Sequence, residues 1–309
     1  MQENQNPQSA LKTTAVAPIT VLKSVLDAPS VQAQFKNALG EHKDAFVASL
    51  IDLFTGDKQL QTCKPAQLIQ EALRAATLKL PLNKALGFAY IVVYNNSAKD
   101  DHGNWIKIPT PTFILGYKGY IQMAMRTGQY RTINADIVYE GEMRKGNKLT
   151  GEIALDGEKK SDKIIGYFCY FELLNGFSKT LFVSVEEMAS YAKKFSPSIK
   201  KTTTVEQLQK LANTTVQAKS VGWEGNFSDM ALKTVVRRLL SKYGYLSVEM
   251  QSALSTEQEE TSRAYLIENA NKEVIATNVE YEEVDEETGE IKNPSQDEDD
   301  APADEEPNY

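Results

Sequence analysis

The sequence predicts an α+β protein: a small antiparallel sheet with a long hairpin, packed against several helices and followed by a disordered acidic tail. Three observations point that way. Apolar residues recur at helical spacing over 20–39, 43–54 and 65–80. Short runs rich in β-branched and aromatic residues recur at 88–94, 105–115, 131–139, 164–174 and 179–185. The charge is divided, with 31 basic and 23 acidic residues in the first 250 but 19 acidic and 3 basic in 251–309.

Taken in order, residues 1–19 are polar and expected to be disordered. Helices are expected over 20–39, 43–54 and 65–80, the last with Pro65 suited to a first helical turn. Strands 88–94 and 105–115 flank the turn-rich stretch 95–104, which makes a long hairpin with an irregular polar tip. A helix over 117–129 follows, closed by Gly128. Strands come next at 131–139, 164–174 and 179–185, the last two joined by the hairpin turn Asn175-Gly176. Helices are expected over 186–195, 205–219 and 228–243, with Gly244 placed to cap the last. A short helical pattern recurs at 263–271. Beyond 278 the Glu, Asp, Pro and Asn content cannot bury a core. Residues 20–250 therefore form the body, long enough for a sizeable core, and 251–309 form the tail.

The formal charge of −8 hides this division, since the body alone is basic. Two distant cysteines, Cys63 and Cys169, lack CxxC or CxxH company, which argues for a reducing compartment and against a disulfide framework or zinc site. His42 and His102 are too few for a histidine-ligated metal centre. With no run of 18 apolar residues and a polar start, the chain reads as soluble and cytoplasmic, without membrane partners. The nearest approach to a nucleotide-phosphate loop is Gly141 to Lys148, with Asn147 where lysine belongs, so no ATP site is expected. Nor does any motif require a divalent metal or supply a catalytic triad, and the expectation is that the protein is not an enzyme. One carboxylate cluster, Asp136, Glu140 and Glu142 with Lys145, leaves a metal-dependent nuclease as a remote alternative.

Two helices share one plan. At ~100° per residue, Lys118, Gln122, Arg126 and Gln129 fall on one arc, opposite Tyr117, Tyr120, Ile121, Ala124 and Met125. In the later helix Lys233, Arg237, Arg238, Ser241 and Lys242 fill one side. Leu232, Val235, Val236, Leu239, Leu240 and Tyr243 fill the other. An amphipathic helix ordinarily mixes both signs on its solvated face. Here Asp and Glu are absent from 104–135, which holds Lys107, Lys118, Arg126 and Arg131. They are absent too from 188–205, with Lys193, Lys194, Lys200 and Lys201, and from 230–248. Cations without carboxylates repel one another unless a polyanion neutralises them, so the composition favours a phosphate-binding surface. Gly116 and Gly119 either leave backbone N–H groups for an anion at a helix start or simply allow a tight turn. Tyr90, Tyr94, Trp105, Tyr117, Tyr130 and Trp223 are core residues or base-stacking candidates. Tyr130 and Trp223 are favoured for stacking because each sits at an element boundary.

Two blocks carry a resemblance. One is Gly116-Tyr117-Lys118-Gly119-Tyr120, preceded by Leu86 to Tyr94 and followed by Arg126-Thr127-Gly128-Gln129-Tyr130-Arg131. The other is Trp223-Glu224-Gly225-Asn226-Phe227-Ser228-Asp229-Met230, continuing through Lys233 to Arg237-Arg238. In this order and spacing they resemble the RecT family of phage recombinases, the single-strand annealing proteins. The resemblance implies ATP-independent annealing of complementary strands by a homo-oligomer, ring or helical filament, around a continuous basic groove. Single-stranded DNA and the annealed duplex would be its partners. Lys118, Arg126, Lys233, Arg237, Arg238 and Lys242 would hold phosphates, with Gln122, Gln129 and Tyr130 on sugars or bases. The hairpin of 88–115 would contact a neighbouring subunit or clamp a strand. A DNA-coating or architectural protein that does not anneal is the rival reading. The tail has three readings: a solubilising end, a competitor of DNA for the groove, or a docking site for a partner exonuclease or host single-strand-binding protein.

Overall fold

The structure is a computed structural model that describes residues 17–99, 102–147, 149–196, 199–214 and 222–255. It is α+β, with eight α-helices between Pro18 and Tyr243, a further helical segment after them, and small antiparallel sheets among those residues. The expected disordered lead lies outside them up to residue 16. So do the helix expected at 263–271, the end of the helix expected to reach 219, and the tail beyond 255.

The chain enters through α1 (Pro18–Leu26), α2 (Pro29–Leu39), α3 (Lys43–Gly56) and α4 (Pro65–Thr77). Pro18 and Ile19, assigned to the lead segment by composition, belong to α1. The helical pattern of 20–39 divides in two at Pro29. Proline has no N–H to donate and pushes its predecessor out of the helical region, and Ala28 accordingly takes φ −59°, ψ 129°. Pro18, Pro29 and Pro65 each open a helix, where their missing N–H costs no bond. Leu22, Phe35, Leu50, Phe54 and Leu68 close the core between these helices.

Next come β1 (Ala89–Lys99) and β2 (Trp105–Leu115), a two-stranded antiparallel ribbon paired from Ala89↔Leu115 to Lys99↔Trp105. The irregular tip expected at 95–104 is therefore shorter. Backbone pairing does not require apolar side chains, and Asn95, Asn96 and Ser97 continue the ladder while exposed. The free edge of β2 is handled by its own residues. Positions 109, 111 and 113 alternate onto the same edge: Pro109 and Pro111 have no N–H, and the Phe113 N–H donates to the Glu71 carboxylate of α4 at 2.9 Å. Thus α4 covers the inner half of the ribbon, and the outer half projects with Trp105 68% exposed.

α5 (Tyr117–Arg126) follows, stopped by Gly128 at φ +68°. The main sheet has the order β3-β6-β7, from β3 (Tyr130–Tyr139), β6 (Ile164–Leu173) and β7 (Ser178–Ser184), all antiparallel. A small hairpin of β4 (Lys145–Asn147) and β5 (Glu152–Ala154) interrupts the β3–β6 connection. Its three-residue strands are too short for the period-2 pattern to register. α6 (Val185–Phe195) and α7 (Val205–Ala212) both begin with a capping box, Ser184 with Glu187 and Thr204 with Gln207. α8 (Phe227–Tyr243), capped by Asn226, lies across the sheet and packs on α5. Both cysteines are free and buried.

α8 ends at Tyr243 and Gly244 caps it, as expected, although not in the left-handed conformation usual for a capping glycine. Gly244 is extended, with φ −77° and ψ 159°, and closes the helix by donating to the Leu240 carbonyl at 2.9 Å. Glycine is needed there for space, because a Cβ would lie 2.6 Å from the Tyr130 hydroxyl oxygen. The body also runs past residue 250. Residues 248–255 are helical, and Met250, Ala253 and Leu254 are buried against the core.

Candidate nucleic-acid interface

α5 and α8, the two helices with basic polar faces, lie side by side in the same sense. Burial, helped by the Asp229 carboxylate at the start of α8, raises the pKa of Tyr117 at the start of α5. Arg126 at the far end feels Glu249, just beyond α8. The buried side of α8 consists of Phe227, Ala231, Leu232, Val235, Val236, Leu239 and Leu240, so its polar arc carries the cations as the spacing predicts. Arg238 and Lys242 are exposed, and Lys233 and Arg237 are half-buried. Arg237, Arg238 and Ser241 line a shallow pocket of about 220 Å³ with Leu254 of the final helical segment. Arg238 also sits 5.8 Å from the Tyr191 ring centroid, which joins α6 to this face.

Two positions depart from the helical wheel. Met125, expected to face the core, is 58% exposed, and Tyr243 is 38% exposed. In α5 the buried set is Gly119, Tyr120, Met123 and Ala124, a stripe of similar width but rotated by about 100° from the one the wheel assigns, which leaves Tyr117 and Ile121 half-buried.

The start of α5 explains its glycines. The Gly116 N–H donates to the Phe88 carbonyl at 2.9 Å, while the Gly119 and Tyr120 N–H groups donate to the Gly116 carbonyl. These amides are engaged within the chain and are not presented to an anion. A Cβ at 116 or 119 would collide with the carbonyl oxygen of Gly87 or Phe88, so both glycines serve the close approach of the 87–88 backbone. Lys118 is exposed, its stem against Gly87 and its Nζ 5.9 Å from the Tyr117 ring centroid.

Several other cations carry structural duties invisible in sequence. The Arg126 guanidinium donates to the Leu78 carbonyl at 2.8 Å and so satisfies the C-terminal end of α4. Burial lowers its pKa. Arg131 pairs with Glu172 of β6 at 2.9 Å, a carboxylate from outside the acid-free stretch. Lys193 donates to the carbonyls of Lys200 and Lys201 at 3.0 and 2.9 Å. That bond gathers Lys193 and the exposed Lys200 and Lys201 at one turn, with Lys194 exposed beside them. Lys107 stands apart, exposed on the outer ribbon opposite Ser97. Gln122 is half-buried and Gln129 exposed, the latter with its carbonyl bonded to the Leu174 N–H.

The two favoured stacking residues both have structural partners. Trp223 is only 5% exposed and meets Phe227 edge-on, ring centroids 5.2 Å apart, so its face is not open to a base. Its place at an element boundary concealed that the 222–226 turn folds inward. Tyr130 is half-buried, edge-on to Phe171, and donates its hydroxyl to the Tyr245 carbonyl at 2.9 Å. Of the remaining aromatics Tyr90, Tyr94 and Tyr117 are half-buried, and Trp105 is open to solvent beside Lys99.

Burial pushes the Tyr130 phenol up to about 12, from an ordinary value near 10. A phenol whose pKa is raised by folding contributes stability that is intact below the unfolded value and lost as pH climbs through the folded one. Tyr130→Phe is expected to cost about 1 kcal/mol at neutral pH, from the lost bond to Tyr245. It should also remove part of the wild-type loss of stability between about pH 10 and 12. Urea denaturation across that range measures both.

The carboxylates of the nuclease alternative have local partners. Asp136 accepts the Ile137 N–H at 2.8 Å, Glu142 the Tyr139 N–H at 2.7 Å, and Glu140 the Ser161 hydroxyl at 2.8 Å. Lys145 lies on β4. Among the described residues no group of three His, Cys, Asp or Glu side chains is placed to hold a metal ion. No described helix is long and apolar enough to cross a membrane.

An α+β body whose paired helices bury one side and turn cations outward has the make-up of a protein that handles nucleic acid. The model of the RecT family matches residues 44–275, a span that holds both signature blocks. The chain belongs to the RecT family of recombinases. It is 40% identical over 255 residues to the uncharacterized protein YqaK of Bacillus subtilis (strain 168), covering 82% of this chain and 78% of the relative. It is 24% identical over 248 residues to Protein RecT of Escherichia coli (strain K12), covering 77% and 80%.

Proposed function

We propose that the protein anneals complementary single strands in homologous recombination without ATP, as an oligomer that holds one strand by its phosphates. The observation that carries this is the family match over 44–275, which spans α5 and α8 together with the cations on their outer sides. Sequence reading is left to base pairing, so phosphate contacts suffice and no base-edge code is needed. Arg238 and Lys242 on α8, Lys118 on α5 and the Lys200–Lys201 turn are the exposed contacts this reading uses. Neither a nucleotide nor a divalent metal takes part in it.

The test mixes complementary oligonucleotides with the full-length protein and no nucleotide cofactor. Duplex formation should outpace the spontaneous rate; an unchanged rate leaves only a DNA-coating role. Arg238→Ala and Lys118→Ala should each weaken single-strand binding similarly for all sequences. Each should also flatten the slope of log affinity against log salt by about 0.7. Titrations at several salt concentrations read this out, and an unchanged slope would remove that residue from the phosphate contacts.

A further inference from the structure

The last turn of α8 carries a side chain that helical spacing assigns to the core. The buried series of the helix ends at Leu240, and Tyr243 beyond it is 38% exposed. Two lysines from different elements converge on its ring. Lys242 places Nζ 5.2 Å from the ring centroid, and Lys179 of β7 places Nζ 5.4 Å from it. Lys179 is held there by donating to the Thr150 carbonyl at 2.6 Å. Neither ammonium forms an ion pair among the described residues. Two residues on, Tyr245 is 52% exposed, and its backbone is fastened by the Tyr130 hydroxyl.

A single solvated tyrosine needs no explanation. Two like charges drawn onto one exposed ring are different, because they repel each other and only the ring quadrupole and, for Lys179, one carbonyl offset that. A ligand with flat aromatic groups joined by anions would satisfy all three side chains together. Single-stranded DNA has that chemistry, whereas a duplex keeps its base faces stacked inside. A lysine's flexible stem lets its ammonium pass from the ring to the phosphate of a stacked nucleotide.

We propose that Tyr243 is a base-stacking platform for single-stranded DNA, with Lys179 and Lys242 as its flanking phosphate contacts. This rests on the reading of the protein as a single-strand binder and adds Tyr243 and Lys179 to its surface.

The experiment titrates full-length protein into an oligothymidine carrying one 2-aminopurine, with a 5-iododeoxyuridine version for photocrosslinking. Tyr243→Leu should weaken binding roughly tenfold and reduce the 2-aminopurine response without changing the salt slope. Tyr243→Phe, which keeps the ring, should bind like the wild type, and Lys179→Ala should flatten the slope. The wild-type photoadduct should map to the peptide containing Tyr243. Wild-type affinity in Tyr243→Leu, with the adduct elsewhere, overturns the platform and leaves the annealing reading intact. Equal losses in the Leu and Phe variants overturn stacking. If Tyr243→Leu changes the sedimentation of the DNA-free protein while the adduct maps elsewhere, the surface joins copies of the chain and the proposal fails. A wild type that does not bind the oligonucleotide removes both readings.

Discussion

Gly119→Ala should destabilise the protein by roughly 3 kcal/mol, although helix propensity alone predicts a gain of about 1 kcal/mol. The two effects have opposite signs, and the surroundings decide between them. A Cβ at 119 would collide with the Phe88 carbonyl oxygen and lie 2.7 Å from Cδ1 of Leu115. The leucine could change rotamer; the carbonyl cannot turn away, because it accepts the Gly116 N–H. Relief requires the 87–88 segment to leave α5, which loosens the root of the β1–β2 ribbon. Urea denaturation followed by circular dichroism measures the difference. A stabilised variant would show that the segment yields easily and that the glycine is not required by packing.

Trp223→Ala is expected to cost about 3–5 kcal/mol, the range for deleting a large buried aromatic. The indole packs on Phe227, which in turn lies 6.2 Å from the Tyr167 ring, so its loss opens a cavity beneath the first turn of α8. Trp223→Phe should recover much of that stability and bind single-stranded DNA with unchanged affinity. Stability would be measured by urea denaturation and affinity by titration at a temperature where both variants are folded. Reduced affinity in a stably folded Trp223→Ala would restore the indole as a base contact.

These cases mark how far residue patterns reach. The apolar stripe of α8 is legible because burial against one sheet imposes a 3.6-residue period, and every buried position after 231 lies on the expected side. The period fails at Tyr243 because it describes a helix and carries no information on where the covering sheet stops. Acid-free stretches are legible as well, but neutralisation acts through space, and Glu172 reaches Arg131 from another strand. Arg126 and Lys193 likewise spend donors on carbonyls of distant or neighbouring segments. The position of Tyr130 at an element boundary gives no sign that its hydroxyl fastens the chain beyond α8.

By itself, then, the sequence determined the α+β class, the order of nearly all the larger elements, the division of charge between residues 1–250 and 251–309, and the family. Each follows from short-range periodicity, composition or motif, and none depends on which segments meet. The tertiary structure alone decided which cations stand open to solvent and which are used internally. It decided too that the glycines of α5 serve packing, that Trp223 belongs to the core and that Tyr243 does not. Those outcomes depend on groups far apart in the chain competing for the same space and the same hydrogen bonds, and that competition exists only once the chain has folded.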